Sequence, residues 1–145
     1  MYKNILVTTD GSECSERSIG HAVELAKFLG AKLTAVTVTP PLQFLTVEGV
    51  VYPEDPERYQ QMTDAQAKAA LNVVAKAAEA AGVPCELVQI ESPQPYEGII
   101  KTAEDKGCDL IVMASHGRRG ISALLLGSET QKVLTHSKIP VLVFR

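Results

Sequence analysis

The sequence predicts a doubly wound α/β fold, in which one parallel sheet of five strands carries helices on both faces. Five short β-type runs alternate with longer segments of helical periodicity, and this alternation indicates parallel strands joined by right-handed crossovers. The five runs are Ile5 to Thr9, Leu33 to Val38, Cys85 to Ile90, Leu110 to Ala114 and Val141 to Phe144. A length of 145 residues suits one full-sized core, so we expect residues 1–145 to form a single domain.

The strand order follows from the two most continuously apolar runs, Ile5 to Val7 in the first strand and Leu110 to Met113 in the fourth. Strands of this kind are covered on both faces and therefore lie in the middle of a sheet. The order 3-2-1-4-5 places both of them centrally. In that order the chain reverses direction between the first and fourth strands, and ligands of open α/β sheets bind beside such a reversal, at the carboxyl ends of the strands.

Four helices are predicted from apolar spacing and from their end signals. They are one that ends at Gly30, one from about Glu57 to Ala81, one from roughly Tyr96 to Lys106, and one that begins at Ser128. Glycine commonly ends a helix in this way. In the second helix, the residues predicted to share one face by their helical spacing are Met62, Ala65, Ala69, Val73 and Lys76.

Composition excludes several classes of protein. A net charge of −3 and a pI near 5.6 argue against a nucleic-acid binder that neutralises phosphates. Cys14, Cys85 and Cys108 fit neither a redox nor a zinc spacing, and we interpret them as ordinary reduced cysteines. The N-terminus has no signal-sequence pattern and no apolar run approaches the ~18 residues of a membrane span, so we expect a cytoplasmic protein with no membrane partner.

Two polar loops fall at the predicted reversal point. One, from Thr8 to Ser12, follows the first strand, and the other, Ala114-Ser115-His116-Gly117, follows the fourth. Small residues and glycines let a ligand approach the backbone closely. The stretch from Ser128 to Gln131 reads as a Ser-x-x-Gln capping box, and a helix start of this kind presents N–H groups and a positive dipole end to an anion.

Each of these features also has a purely structural explanation. Asp10 and Ser12 are residue types that often cap helices, and Gly117 and Gly120 suit turns that need a positive φ. The pair Arg118-Arg119 is either a solvated surface charge or a means of neutralising a polyphosphate in the loop.

The sequence lacks the motifs of dedicated catalysis. It contains no Gly-x4-Gly-Lys-Ser/Thr loop, no Gly-x-Ser-x-Gly elbow and no zinc-ligand cluster. Adjacent residues at a strand end point in opposite directions, so Ser115 and His116 are not expected to pair as nucleophile and base. His116 is instead expected to donate a hydrogen bond to a phosphate.

After the fourth strand the sequence has the spacing Ala114-x2-Gly117-x9-Gly127-Ser128. This spacing resembles that of the universal stress protein family, whose nucleotide-binding members carry Gly-x2-Gly-x9-Gly-Ser/Thr there. Three of the four positions match. An aspartate at the position of Asp10 and the closing Ser137-Lys138-Ile139-Pro140-Val141-Leu142-Val143 are also typical of the family. The resemblance covers the whole chain.

The resemblance implies an adenine nucleotide alpha-hydrolase-like fold that binds ATP, with Mg²⁺ or Mn²⁺ as companion ion. It implies adenine recognition by main chain near Val38 with help from Asp10, and a pocket wall at Thr8 and Thr9. Phosphates and ribose would contact the following residues: Ala114, Ser115, His116, Gly117, Arg118, Arg119, Gly120, Gly127, Ser128, Glu129 and Thr130. The departure is Ala114 in place of glycine, whose methyl group would crowd the pocket if the backbone there required a positive φ.

Two further segments indicate surfaces for partners. The segment from Thr39 to Pro56, called here the 39–56 segment, combines four prolines with many apolar residues. We expect it either to cover the sheet edge as a lid or to contact a partner protein. The last strand is an apolar, unguarded edge, and the resemblance implies a homodimer through Val141, Leu142 and Val143.

Three functions are therefore carried forward. The first is an ATP-binding, dimeric regulatory module of the stress response. The second is a weak ATPase or self-phosphorylating switch, and the third is a dimeric interaction protein without nucleotide.

Overall fold

The computed structural model describes residues 1–117 and 125–145 of the chain. The strands are β1 (Asn4–Thr8), β2 (Lys32–Thr39), β3 (Phe44–Thr46), β4 (Gly49–Val51), β5 (Cys85–Glu91), β6 (Leu110–Ala114) and β7 (Val141–Phe144). The helices are α1 (Glu13–Leu29), α2 (Pro56–Ala81), α3 (Pro95–Asp105) and α4 (Ser128–His136).

Strands β5, β2, β1, β6 and β7 form one sheet in that order, and all neighbours in it are parallel. Ile5 of β1 lies between Leu33 of β2 and Leu110 of β6. Counted over the five predicted strands, this is the order 3-2-1-4-5, so the predicted fold class and order are confirmed. The chain reverses direction between β1 and β6, as expected.

Each face of the sheet carries its own hydrophobic core. Ile5 and Val7 pack with residues of α1 and α2, whereas Leu6 between them packs with residues of α3 and α4. All three are fully buried. Burial of an aliphatic side chain of this size contributes about 1.5–3 kcal/mol, which explains why the central strands have no polar face.

Helix α2 is where the predicted apolar face is wrong. Its buried residues are Ala67, Ala70, Leu71, Val74 and Ala78. Met62 and Val73, from the predicted face, are 54% and 38% exposed. Alanine occurs all around this helix, so periodicity alone does not choose a face, and the packing of Leu71 and Val74 into the core decides it. In the described ranges no helix combines the length and apolar character needed to cross a membrane.

The 39–56 segment contains a small hairpin that the sequence pattern did not reveal. Strands β3 and β4 pair in antiparallel fashion, with Leu45 opposite Val50. Val47 at the turn is fully exposed, and Tyr52 beyond β4 is 63% exposed. Three-residue strands are too short for an alternating pattern to be visible in sequence.

The three cysteines are free thiols, as the spacing predicted. Burial raises the pKa of the Cys85 and Cys108 thiols above the usual value. Both groups therefore stay protonated at neutral pH, which fits a packing role.

Buried Asn4 ties the central strand to two distant parts of the chain. Its Nδ2 donates to the carbonyl of Lys106 at 3.0 Å, and its Oδ1 accepts from the Thr34 hydroxyl at 3.0 Å. Its backbone N–H donates to Oδ1 of Asp109 at 3.1 Å, and the N–H of Lys3 donates to Oδ2 at 2.9 Å. Asn4 is 4% exposed, and its bond to the Thr34 hydroxyl is buried away from water.

We predict that Asn4→Ala lowers the free energy of unfolding by about 1–3 kcal/mol, because the buried Thr34 hydroxyl and Lys106 carbonyl both lose a partner. Urea denaturation followed by circular dichroism measures the change. The control is Asn72→Ala on the exposed side of α2, which should alter stability by less than about 0.5 kcal/mol. Equal effects of the two substitutions would contradict the assignment.

Candidate functional site

A cleft of about 740 Å³ opens at the carboxyl edge of the sheet, beside the reversal between β1 and β6. We call it the sheet-edge cleft. The strand ends, helix α2, the β5–α3 turn and the start of α4 form its walls. Its lining residues are Thr8, Thr9, Asp10, Ser15, Val36, Thr37, Val38, Thr39, Pro40, Thr63, Gln66, Ala67, Ala70, Ser92, Pro93, Pro95, Ile99, Met113, Ala114, His116, Gly117, Gly127, Ser128, Glu129 and Thr130.

The loop after β1 is shaped by its own side chains. Oδ1 of Asp10 accepts from the Ser12 N–H at 2.9 Å and from the Ser15 hydroxyl at 3.0 Å. Ser12 is the N-cap of α1, and its hydroxyl accepts from the Ser15 N–H at 3.2 Å. The structural explanation is confirmed for Ser12, which caps the helix. Asp10 does not cap it and instead closes the turn before it. This network fixes Asp10 at the wall of the cleft.

Gly117 brings the loop after β6 into contact with Asp10. A Cβ atom placed on Gly117 would lie 2.6 Å from Oδ2 of Asp10. Real Cβ atoms do not approach an oxygen so closely, and the Asp10 carboxylate is held by its bonds to the α1 turn. Glycine at 117 is therefore needed for the two loops to meet.

Ser115 joins β6, β7 and α4 through its main chain. Its N–H donates to the carbonyl of Phe144 at 2.7 Å, and its carbonyl accepts from the N–H of Gly127 at 2.6 Å. The Thr130 hydroxyl adds a bond to the Ala114 carbonyl at 3.0 Å. A Cβ atom on Gly127 would lie 3.1 Å from the Ser115 carbonyl oxygen, so glycine is what lets α4 start this close to β6.

The predicted capping box at Ser128 and Gln131 is wrong. The N-cap of α4 is Gly127, no side chain bonds to the cap, and Nε2 of Gln131 donates to the carbonyl of Leu126 instead. The physical reason is tertiary, because the bonds from Gly127 and Thr130 to the end of β6 set where the helix begins. Ser128 is thereby the first helical residue and lines the cleft.

The prediction that the Ser115 and His116 side chains point in opposite directions is also wrong. Their side chains are hydrogen-bonded, with Oγ and Nδ1 3.0 Å apart. Strand β6 ends at Ala114, so the alternation of side chains along an extended strand no longer applies to these two residues. Ser115 is only 2% exposed and does not line the cleft, whereas His116 does. The pair therefore orients the His116 ring.

Ala114 causes no backbone strain. None of the described non-glycine residues has a positive φ. Ala114 is the last residue of β6, pairs with Phe144 of β7 and is 6% exposed. The condition under which its methyl group would have crowded the pocket is not met.

Glu129 links the start of α4 to the start of α3. Its Oε2 accepts from the backbone N–H of Tyr96 at 2.9 Å, and its Oε1 lies 3.3 Å from Nζ of Lys132. The N-cap residue of α3, Gln94, makes no side-chain cap bond, so Glu129 supplies this cap from another helix. The pKa of the Tyr96 phenol is raised, first by desolvation and then by the negative charge of Glu97.

Most of the residues predicted for the site lie together at the sheet-edge cleft. These are Thr8, Thr9, Asp10, Val38, Ala114, His116, Gly117, Gly127, Ser128, Glu129 and Thr130. Ser115 lies behind the cleft surface, and Arg118, Arg119 and Gly120 lie outside the described residues.

The sequence analysis missed two walls of the cleft. One is formed by Thr63, Gln66, Ala67 and Ala70 of α2, and it was missed because the buried face of that helix was assigned incorrectly. The other is the Ser92-Pro93 turn. It directly follows β5, so the rule that sites gather at carboxyl ends of strands could have found it.

Comparison with known proteins places the chain in one family. The sequence model of the universal stress protein family matches residues 1–145. The universal stress protein MJ0531 of Methanocaldococcus jannaschii is 34% identical over 147 aligned residues, which cover 100% of this chain and 83% of that protein.

Two solved structures share the architecture described above. That of the hypothetical protein MJ0577, also from Methanocaldococcus jannaschii, has a TM-score of 0.82 at 31% identity and covers 99% of this chain and 95% of that one. A crystal structure of a universal stress protein in complex with cAMP has a TM-score of 0.73 at 27% identity and covers 99% and 97%. The fold, the strand order and the match of the family's sequence model to the entire chain all lead to one conclusion. The chain belongs to the universal stress protein family.

Proposed function

We propose that this protein binds an adenine nucleotide, in particular ATP, in the sheet-edge cleft and acts as a dimeric regulatory module in the stress response. The observation that carries the proposal is the meeting of the β1 and β6 loops with the start of α4 around this cleft. A structural neighbour of 27% identity was crystallised with cAMP, which supports an adenine nucleotide as the class of ligand. A cytoplasmic location stays a prediction.

The adenine end of the ligand is proposed to lie against β2 and the β1 loop. Val38, Thr8 and Thr9 line this part of the cleft together with Asp10. Main-chain groups at Val38 would read the edge of the base. The Thr9 hydroxyl already accepts from the Gly11 N–H at 3.2 Å, so its role is to hold the loop in shape.

The ribose and phosphates are proposed to lie along the loop after β6 and over the start of α4. Gly117 and Gly127 line this part of the cleft, and Ser128 lines it as the first residue of α4. The first N–H groups of a helix have no intrahelical partner and attract anions. The proposal includes Arg118, Arg119 and Gly120 in this region on the ground of sequence only.

A divalent cation is proposed to arrive with the phosphates. In residues 1–117 and 125–145 there is no group of three or more His, Cys, Asp or Glu side chains that could hold a metal ion. Mg²⁺ commonly keeps several waters and is held by substrate phosphates with one or two carboxylates. Asp10 and Glu129 are carboxylates that line the cleft and fit that requirement.

Dimerisation is proposed to use the free edge of β7. Val141, Leu142, Val143 and Phe144 carry no charge, and Leu142 is 37% exposed. At the opposite edge, β5 carries Glu86 and Glu91, which discourage pairing with another strand. A twofold axis would pair two β7 strands in antiparallel fashion.

A client protein is proposed to contact the exposed part of the 39–56 segment. Thr39 and Pro40 line the cleft, whereas exposed Val47 and Tyr52 are not among its lining residues. This placement favours the partner surface over the lid. Binding at the cleft would then influence the client surface through Thr39 and Pro40.

The second candidate function is a reaction of the bound nucleotide, either its hydrolysis or phosphoryl transfer to the protein. The observation that bears on it is the Ser115–His116 hydrogen bond. A weak ATPase or self-phosphorylating switch would need a hydroxyl or water that a base can activate. The buried position of Ser115 favours orientation of His116 over attack by Ser115. A dimeric interaction protein without nucleotide is the remaining alternative.

The decisive test is to denature the purified protein and identify any released nucleotide by chromatography and mass spectrometry, followed by calorimetric titration with ATP and Mg²⁺. We expect close to one adenine nucleotide per chain, or binding of added ATP by empty protein. Absence of both would overturn the proposal and favour the interaction protein. Appearance of ADP or of phosphorylated protein over time would favour the switch.

We predict that the double substitution Gly117→Val and Gly127→Val weakens ATP binding at least about tenfold, because the added side chains collide with Asp10 and Ser115. The matched control is Gly20→Val in α1, where an added Cβ meets nothing within 4 Å. Calorimetry measures affinity, and thermal unfolding verifies that the double variant is folded. Wild-type affinity in a folded double variant would exclude the proposed cradle.

We predict that Leu142→Lys converts the dimer to monomer, since the twofold axis would bring two ammonium groups close together. Sedimentation velocity measures the change. Leu87→Lys is the control, because Leu87 is similarly exposed, at 43%, on the opposite edge strand. A monomeric wild type, or a Leu142→Lys variant that stays dimeric, would refute dimerisation through β7.

A further inference from the structure

We infer that Glu129 sets the phosphate preference of the sheet-edge cleft, by opposing the binding of each additional phosphate charge. The inference rests on the proposed adenine-nucleotide function and names the residue that makes affinity depend on the number of phosphates. Without a divalent cation, the Glu129 carboxylate should weaken binding more for each additional phosphate.

The first argument is the fixed position of the carboxylate. Glu129 is the second residue of α4, in the helical turn over which the phosphates are proposed to lie, and it lines the cleft. Its two oxygens are held by the Tyr96 N–H at 2.9 Å and by Lys132 Nζ at 3.3 Å. A side chain bonded at both oxygens does not swing away to make room for an anion without losing the cap of α3.

The second argument is the charge around the cleft. Among the described lining residues, the acidic side chains are Asp10 and Glu129, and none is lysine or arginine. Lys132 offsets part of the Glu129 charge. However, its Nζ lies 5.6 Å from the centre of the Tyr96 ring, on the side of α3, and Lys132 does not line the cleft.

The third argument is that attraction by the start of α4 and repulsion by the Glu129 carboxylate act over different distances. The N–H groups at the start of α4 attract an anion, but this effect falls off within the first turn. Repulsion by a carboxylate acts over several ångströms and increases with the total phosphate charge. One phosphate therefore gains from the helix start, whereas further phosphates mainly add to the repulsion by Glu129.

The experiment uses Glu129→Gln, which keeps the shape of the side chain and an oxygen that can accept from the Tyr96 N–H. Calorimetry gives the Kd of adenosine, AMP, ADP and ATP in buffer with EDTA. The matched control is Glu97→Gln, which removes the same charge close to Tyr96 from a residue that does not line the cleft. We expect Glu129→Gln to leave adenosine unchanged and to tighten binding about threefold for AMP and about tenfold for ATP.

Two further readouts separate charge repulsion from a merely structural role. The gain for ATP should shrink at 0.5 M NaCl, where the screening length falls to about 4 Å. It should also shrink when Mg²⁺ neutralises part of the phosphate charge. Glu97→Gln should show the wild-type dependence on phosphate number under all conditions.

The outcomes are distinct. A gain that rises with phosphate number in Glu129→Gln alone supports the inference. An equal change for all four ligands, or weaker binding of all four, overturns it and leaves Glu129 as a cap of α3. A wild-type protein that binds none of the four ligands overturns the proposed function, and this inference with it.

Discussion

The main-chain hydrogen bonds of Ser115 hold together the edge of the sheet at which the cleft lies. Strand β6 ends just before this residue, β7 reaches it through the Phe144 carbonyl, and α4 reaches it through the Gly127 N–H. Because the residue is buried, water does not compete for these bonds, and losing one of them would leave a polar group unsatisfied. The position of α4 relative to the sheet, and hence the existence of the cleft, depends on this junction.

The junction also explains the chemical character of the loop. Close contact requires glycine at 127, and contact with the β1 loop requires glycine at 117. Two polar side chains nearby already have partners, since the Ser115 hydroxyl is bonded to the His116 ring and the Thr130 hydroxyl to the Ala114 carbonyl. Groups held in place before a ligand arrives lose less entropy when it docks.

The sequence was sufficient to predict the five-stranded sheet but not the details of its carboxyl edge. Continuous apolar runs reveal β1 and β6 as central because both faces of these strands pack into a hydrophobic core. The capping box at Ser128 and the separation of Ser115 from His116 were wrong because both were local rules. The start of α4 is set by the bonds from Gly127 and Thr130 to the end of β6. The Ser115–His116 bond forms because β6 has already ended at Ala114. The buried face of α2 was wrong for another reason, since alanine is small enough to be placed on any face.

The bonds from Lys3 and Asn4 to Asp109 span 106 and 105 residues of chain. This separation along the chain affects how the protein folds. β1 lies at the centre of the sheet, yet one of its two neighbours, β6, is synthesised much later than β1 itself. Contacts so distant in sequence slow folding and leave strand edges exposed in the meantime. Until β6 has been made, the nascent chain therefore carries one unpaired, strongly apolar edge of β1, and this is the stage at which a chaperone would be of most use.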